Sequence, residues 1–236
     1  MSAIKAVIFD KDGTLFDFAT TWETWAQAFL TRLAGGDATL ANQLGQAVGF
    51  DMGTASFARD SIVIAGTPDE VAAALAPALP GHDKSALLSI LNEEAARAPQ
   101  SEAVPLVPFL AHLKAMGLHL GVATNDSERP ALAHLNAAGV RESFDFVAGS
   151  DSGYGAKPAP GQLLGFAQVV GVDPAACAMV GDSLHDLMAA RAAGMLAVGV
   201  LTGYAVQEEL APFADVVLDS IAQLPEWIAQ RAENDT

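Results

Sequence analysis

Cationic side chains are scarce: 12 lysines and arginines stand against 28 aspartates and glutamates in 236 residues, for a formal net charge of −16. That deficit argues against binding to a nucleic-acid backbone, which needs a basic face to displace its counterions, and it favours solubility. Cysteine is nearly absent. With Cys177 alone no internal disulfide can form, which suits a reducing compartment, and the residue reads as a small apolar filler entering a strand. Long apolar runs are missing too. The longest, at 71–79 and 195–206, are broken by proline or glycine and fall short of the ~20 residues needed to span a bilayer. No targeting segment is visible, because Met1 to Ile4 is followed at once by Lys5 and an acidic strand end; the expectation is a cytoplasmic protein.

What is present is apolar substance. Hydrophobic residues make up 51% and charged ones 17%, a globular profile, and the length allows one large domain or two small ones. The chain is organised around Ala6-Val7-Ile8-Phe9-Asp10-Lys11-Asp12-Gly13-Thr14-Leu15. Four apolar residues run straight into two carboxylates, a glycine and a hydroxyl, the pattern of a buried parallel strand ending in a polar loop. Open α/β sheets carry their chemistry at such strand ends. Taken alone, a capped turn with acidic decoration would fit equally well.

From residue 18 to about 100 the pattern turns helical, with Trp22, Trp25 and Phe29 recurring along one face. Breaks fall at Gly35-Gly36, 45–53, Gly66-Thr67-Pro68 and Pro80-Gly81. Thr67 reads as a helix N-cap, with proline at the first helical position. No strand is expected here, and the aromatics are expected to fill this segment's own core. From Glu102 onward helix and strand alternate. Helices are expected over 104–116, 130–138, 160–170 and 184–193, and strands over 118–123, 144–148, 176–180 and 196–200. An edge strand at 215–218 and a terminal helix at 224–229 close the pattern. Repeated βα units of this length imply a parallel sheet with right-handed crossovers.

The 6–15 stretch resembles the first motif of the haloacid dehalogenase superfamily, a hydrophobic strand followed by Asp-x-Asp-Gly-Thr. Three more motifs of that family stand in its order: Val122-Ala123-Thr124-Asn125, Lys157-Pro158, and Val180-Gly181-Asp182-Ser183-Leu184-His185-Asp186. The resemblance covers essentially the whole chain. It implies an α/β, Rossmann-like three-layer core with a central parallel sheet, whose first strand lies between those ending at Thr124 and Asp182. It also implies an inserted α-helical cap, so that the core takes residues 1–17 and 101–236 and the cap 18–100.

Mapped onto these positions, the resemblance implies phosphoryl transfer through an aspartyl-phosphate on Asp10. Asp12 would protonate the leaving alkoxide and then take a proton from water. Mg²⁺ would be held by Asp10, Asp182 and the backbone carbonyl of Asp12. Asp186 would be a further ligand, would stand behind the ligands, or would complement a helix dipole. Thr124 and the backbone after it, at Asn125, would hydrogen-bond phosphoryl oxygens, and Lys157 would supply fixed positive charge. Four carboxylates against one ammonium at a single edge would repel, which itself calls for a dication, and hard oxygen ligands suit magnesium.

Asp12 separates branches of the family. The dehalogenases have no alkoxide to protonate and lack an acid at this position. The β-phosphoglucomutase branch carries a histidine where Trp22 aligns, and indole cannot relay a proton. The phosphonate-cleaving branch needs a cap lysine, and Lys84 looks like an exposed helix start. The nearest branch is that of phosphoglycolate phosphatases, with a small phosphorylated metabolite as partner, neither nucleic acid nor membrane, and a monomer or homodimer. Lys11 and Phe18 depart from the usual pattern, and the Lys11 side chain should point away from the phosphate. A substrate carboxylate would want a cation, and Arg59 is the candidate among Arg32, Arg59, Lys84 and Arg97. His185 reads as solvated, and His82, His112, His119 and His134 as scattered. The alternatives are a phosphotransferase or mutase of the β-phosphoglucomutase type, and a protein that kept the fold and lost turnover, sensing phosphate or binding a partner.

Overall fold

The computed structural model describes residues 3–234; positions 1–2 and 235–236, at the two ends of the expected core segments, lie outside the described residues. The first strand, β1 (Ala6–Phe9), is followed by a helical insertion: α1 (Phe18–Leu33), α2 (Ala38–Val48), the short pair β2 (Phe50–Asp51) and β3 (Ser56–Phe57), then α3 (Ile62–Ala65), α4 (Pro68–Leu75) and α5 (Lys84–Ala95). The chain then alternates through α6 (Leu106–Ala115), β4 (His119–Ala123), α7 (Glu128–Ala137), β5 (Phe146–Ala148), α8 (Gly161–Val170), β6 (Cys177–Gly181), α9 (Leu184–Ala193), β7 (Leu196–Val200), α10 (Gln207–Leu210), β8 (Val216–Leu218) and α11 (Leu224–Asn234).

Six strands form one parallel sheet in the order β5-β4-β1-β6-β7-β8. Alternation along β1 builds the layers. Val7 and Phe9 join Leu106, Leu110 and Leu113 of α6 on one face, while Ala6 and Ile8 join Leu163 and Phe166 of α8 and Leu187 of α9 on the other. The result is helix, sheet, helix. Because Phe9 is level with Val122 on one side and Val180 on the other, the residues just beyond them emerge together at the carboxyl edge of the sheet. The sheet order reverses on either side of β1, and open α/β folds bind ligands at such a point.

The insertion has an apolar cluster of its own, built from Phe18, Trp22, Phe29, Leu44, Phe57, Leu75, Leu87 and Leu91 among others. Side chains cap the starts of its helices, at Thr67 as expected. Asp17 caps α1 by accepting from the Thr20 amide at 2.7 Å, and Thr67 with Glu70 forms a capping box at the start of α4, with Pro68 in first position. The connecting segments run side by side, with the Asp17 amide donating to the Ser101 carbonyl at 2.8 Å and the Ala103 amide to that of Leu15 at 2.9 Å.

One expectation is corrected here. The insertion does contain strands, the antiparallel pair β2 and β3, only two residues each. Asp51 Oδ1 accepts from the Gly53 and Thr54 amides and turns the chain between them. Helix α7 starts at Glu128, ahead of the expected Pro130, since a proline in the first turn gives up an amide that has no helical partner anyway.

Candidate active site

Asp10 leaves β1 at the carboxyl edge, Thr124 leaves β4 and Asp182 leaves β6; all three are buried. Lys157 reaches them from the loop before α8. Its ammonium donates to Asp10 Oδ1 at 2.6 Å, to Asp186 Oδ1 at 2.6 Å and to the Ala123 carbonyl at 2.8 Å. Burial works against that ammonium, but Asp10 and Asp186 together outweigh it and raise its pKa above the ordinary lysine range.

The carboxylates feel the opposite balance. Burial raises Asp10 to about 7 even though Lys157 pulls the other way, and Asp186 and Asp12 add to the rise. Asp182 is likewise pushed well above the ordinary range, by burial first and then by Asp10 and Asp186. One carboxylate oxygen each of Asp10, Asp182 and Asp186 lies within 4.8 Å of the others. Buried oxygens that repel one another at this spacing suit a small hard dication. Gly13 permits the arrangement: with φ at +80°, a Cβ there would lie 2.4 Å from Asp182 Oδ2.

Asp186 has a double task. Its Oδ1 receives Lys157, and its Oδ2 receives both the amide and the hydroxyl of Ser183, at 3.0 and 2.7 Å, at the start of α9. Gly181 makes room for it, since a Cβ there would lie 2.3 Å from the carboxyl group.

Asp12 is held from two sides. Trp22 of α1 donates its indole N–H to Oδ1 at 2.8 Å, and the Lys11 ammonium lies 2.6 Å from Oδ2. Burial disfavours the Asp12 carboxylate, but Lys11, aided by the Trp22 donor, outweighs it and lowers the pKa. Lys11 is itself fully buried and also meets Asp126 at 3.4 Å and His134 Nδ1 at 3.1 Å. His134 completes the chain by donating Nε2–H to the Ala95 carbonyl of α5 at 2.8 Å. Burial and then Lys11 bring that histidine down to about 4, so it accepts as the neutral ring.

Several expectations change. His134 is not a stray histidine but part of this buried cluster, 123 positions from Lys11 in sequence. His185 is not simply solvated; it lines the cavity and its Nδ1 lies 3.2 Å from the Ala65 carbonyl. The Asn125 side chain serves the fold, donating to the carbonyls of Ala65 and Lys157 at 2.8 and 2.9 Å while its Oδ1 accepts the Lys157 amide at 2.8 Å, which bears on its side chain and not on the backbone contact expected of it. Thr124 Oγ1 accepts the Asp126 amide at 3.1 Å, which orients its hydroxyl. Arg59 does not line the cavity that holds Asp10. It is exposed, donates to the Tyr204 carbonyl at 2.9 Å and lies 3.6 Å from Glu209. Arg59 borders instead a neighbouring depression that it shares with Asp182, Ser183 and His185.

The cavity lies between the strand edge and the insertion, with about 980 Å³ of space counting its open mouth. Asp10, Asp12, Thr124, Lys157 and Asp182 form its floor; Phe18, Trp22, Trp25, Phe29, Val63, Val71 and Leu75 form its roof. The aromatic residues expected only as core are therefore wall as well. The insertion is fastened over this floor by Trp22 to Asp12, by Ala65 to Asn125, and by the Tyr204 hydroxyl donating to Glu23 Oε1 at 2.7 Å.

Fold and site define a class: a parallel α/β domain with buried carboxylates and one lysine at its strand ends, covered by a helical insertion. The chain belongs to the haloacid dehalogenase-like hydrolases, whose family model matches residues 4–194. It is 34% identical to the probable phosphatase IndB of Dickeya dadantii across 92% of this chain and 90% of that one. It is 43% identical to the phosphoglycolate phosphatase of Chromobacterium violaceum, over 49% of this chain and 51% of that protein, so this match spans about half the relative's length. The crystal structure of CbbY from Rhodobacter sphaeroides in complex with phosphate superimposes with a TM-score of 0.69 at 25% identity, covering 94% of this chain and 96% of that one. No helix among the described residues is long and apolar enough to cross a membrane.

Proposed function

We propose that the protein hydrolyses a small phosphomonoester in a magnesium-dependent reaction through a phosphoryl group carried on Asp10. The observation that supports this best is the Lys157 ammonium, 2.6 Å from both Asp10 and Asp186 in a buried site, where it neutralises charge without a change of position. Asp10 and Asp182, with the backbone carbonyl of Asp12, would hold Mg²⁺. Bound there, the ion would offset the negative charge of the phosphoryl group and its nucleophile.

Asp10 is the nucleophile because Lys157 fixes one of its oxygens and favours its ionised form, leaving the other free. Its attack forms the Asp10 O–P bond and breaks the ester P–O bond; the leaving oxygen takes a proton from Asp12. Asp12 then takes a proton from the water that cleaves the acyl phosphate. Thr124 donates its hydroxyl to a phosphoryl oxygen. Asp186 acts by seating Lys157 and by starting α9, and Asn125 acts by fixing the Lys157 backbone. The helical insertion, residues 18–100, serves as a cap that keeps water from the acyl phosphate. The phosphoglycolate phosphatase named among the relatives and the phosphate bound to CbbY support a phosphomonoester as substrate.

Release of nitrophenol from p-nitrophenyl phosphate tests this reading. Turnover is expected with Mg²⁺, not in EDTA, and not in Asp10→Asn. A protein that binds phosphate but releases no nitrophenol under any divalent cation would instead be a sensor or binding protein.

A further inference from the structure

The insertion holds an apolar surface over the floor that carries Asp10. Helix α3 reads Ile-Val-Ile-Ala, wholly apolar, yet each of its residues is only half-buried. The Ala65 carbonyl accepts from Asn125 Nδ2 at 2.8 Å and lies 3.2 Å from His185 Nδ1, which pins this turn beside the floor while Val63 and Ile64 line the cavity. Pro68 and Val71 of α4 and Trp25 of α1 line the same cavity and are half-buried too. Phe18, Trp22, Phe29, Leu75 and Leu91 complete the wall. Apolar surface left open beside a reactive group is what a ligand covers.

Charge is confined to the core side. Among the described residues, those of the insertion that line the cavity carry no charged side chain; the charged lining is four aspartates, Asp10, Asp12, Asp126 and Asp182, with Lys157 as the one lysine or arginine. Its ammonium is already shared by Asp10, Asp186 and the Ala123 carbonyl. On the roof, the Trp22 indole donates to Asp12 and the Thr67 hydroxyl to Glu70, while Trp25 Nε1 and Asn92 Oδ1 are buried beyond the reach of a ligand. A carboxylate or second phosphate on the alcohol half of an ester would lose its hydration among four like charges and meet no uncommitted lysine or arginine among the described residues.

Resting on the phosphatase reading, we infer that the alcohol half of the substrate is an uncharged, apolar group without a second anion, seated against α3, α4 and the aromatic face of α1 while its phosphate alone occupies the polar floor. Such a group gains from burial in proportion to its area and asks nothing of the roof but contact. Contact of this kind is present in the bound transition state, so it appears in kcat/KM.

Two comparisons at fixed Mg²⁺ read this out. Along the primary alkyl phosphates from methyl to n-pentyl, kcat/KM is expected to climb by about fourfold for each methylene. The second sets phosphoglycolate against 2-methylpropyl phosphate, which has the same shape with two methyl groups in place of the carboxylate oxygens; the uncharged ester should lead by about a hundredfold or more. Val63→Ala combined with Val71→Ala should lower the pentyl-to-methyl ratio by about threefold or more, since both remove wall. A flat alkyl series, phosphoglycolate matching its uncharged counterpart, or a ratio that the double variant leaves unmoved overturns the inference. Titration calorimetry with methylphosphonate and n-pentylphosphonate, which cannot be hydrolysed as esters, keeps the two readings apart. Tighter binding of the pentyl compound with no ester turned over would remove the phosphatase reading and keep the apolar site. Turnover of every ester at one rate, with the two phosphonates bound equally, would remove the apolar site alone.

Discussion

The indole N–H of Trp22 reaches 2.8 Å across from the insertion to Asp12 Oδ1, so a residue of the roof holds the proposed acid of the floor. Trp22→Phe keeps the ring and deletes the donor. Losing a hydrogen bond to a carboxylate raises its pKa, so the limb of the pH–rate profile that reports Asp12 should move to higher pH, and kcat should fall about tenfold. An unmoved profile with only KM affected would mean that Trp22 merely lines the cavity.

Lys11 is the buried counter-charge for Asp12 and Asp126. Lys11→Met leaves two buried carboxylates without it, a change that costs roughly 3–5 kcal/mol. For a chain of this length that lowers Tm by roughly 10 °C. Burial raises Asp126 to about 6 despite Lys11, so Asp126→Asn alone should be mild, and added to Lys11→Met it should restore part of the loss. Calorimetric melts of the four proteins decide it; equal losses in single and double variants would deny that the charges are coupled.

Protonation of Asp10 couples stability to pH. Its carboxyl sits at about 7 in the folded chain against an ordinary 3.8, so below 3.8 both states carry the proton and the folded state keeps its full stability. As pH rises through this window the unfolded chain releases the proton first, and stability falls until the folded carboxyl ionises. In EDTA, Tm should therefore decline from about pH 5 to about pH 8, and Asp10→Asn should flatten the slope. Magnesium should raise Tm more at the alkaline end, where its ligands are already ionised. A metal-free Tm that climbs across this range would contradict the assignment.

Arg59→Ala removes an exposed donor to the Tyr204 carbonyl, outside the cavity. Steady-state kinetics should show kcat/KM changed by about twofold or less, as for an ordinary surface position. A rise in KM of tenfold or more would return Arg59 to the substrate.

The sheet was readable because each of its strands is a short apolar run closed by polar or glycine signals and the βα units make it parallel, while the central place of its first strand came from the family resemblance. Asp10, Thr124, Lys157 and Asp182 were readable because each stands at a strand end or in a motif loop. The hairpin at Phe50–Asp51 and Ser56–Phe57 was not, since two residues per strand carry no alternation to detect. The partnership of Lys11 with His134 was hidden for a different reason. Nothing local marks a histidine on α7 as the partner of a lysine beside β1; only the packing of α7 beneath the insertion brings them together. Trp22, Trp25 and Phe29 showed their helical face plainly, but spacing cannot tell a face that packs on other helices from one that also borders a cavity.

The carboxyl group of Asp186 makes the first turn of α9 and the seat of Lys157 one object. Whatever unwinds that turn also releases the ammonium, and whatever evicts the ammonium leaves a bare charge under the helix. A chain with a misformed α9 therefore has no half-working centre: local folding and charge placement succeed together or fail together.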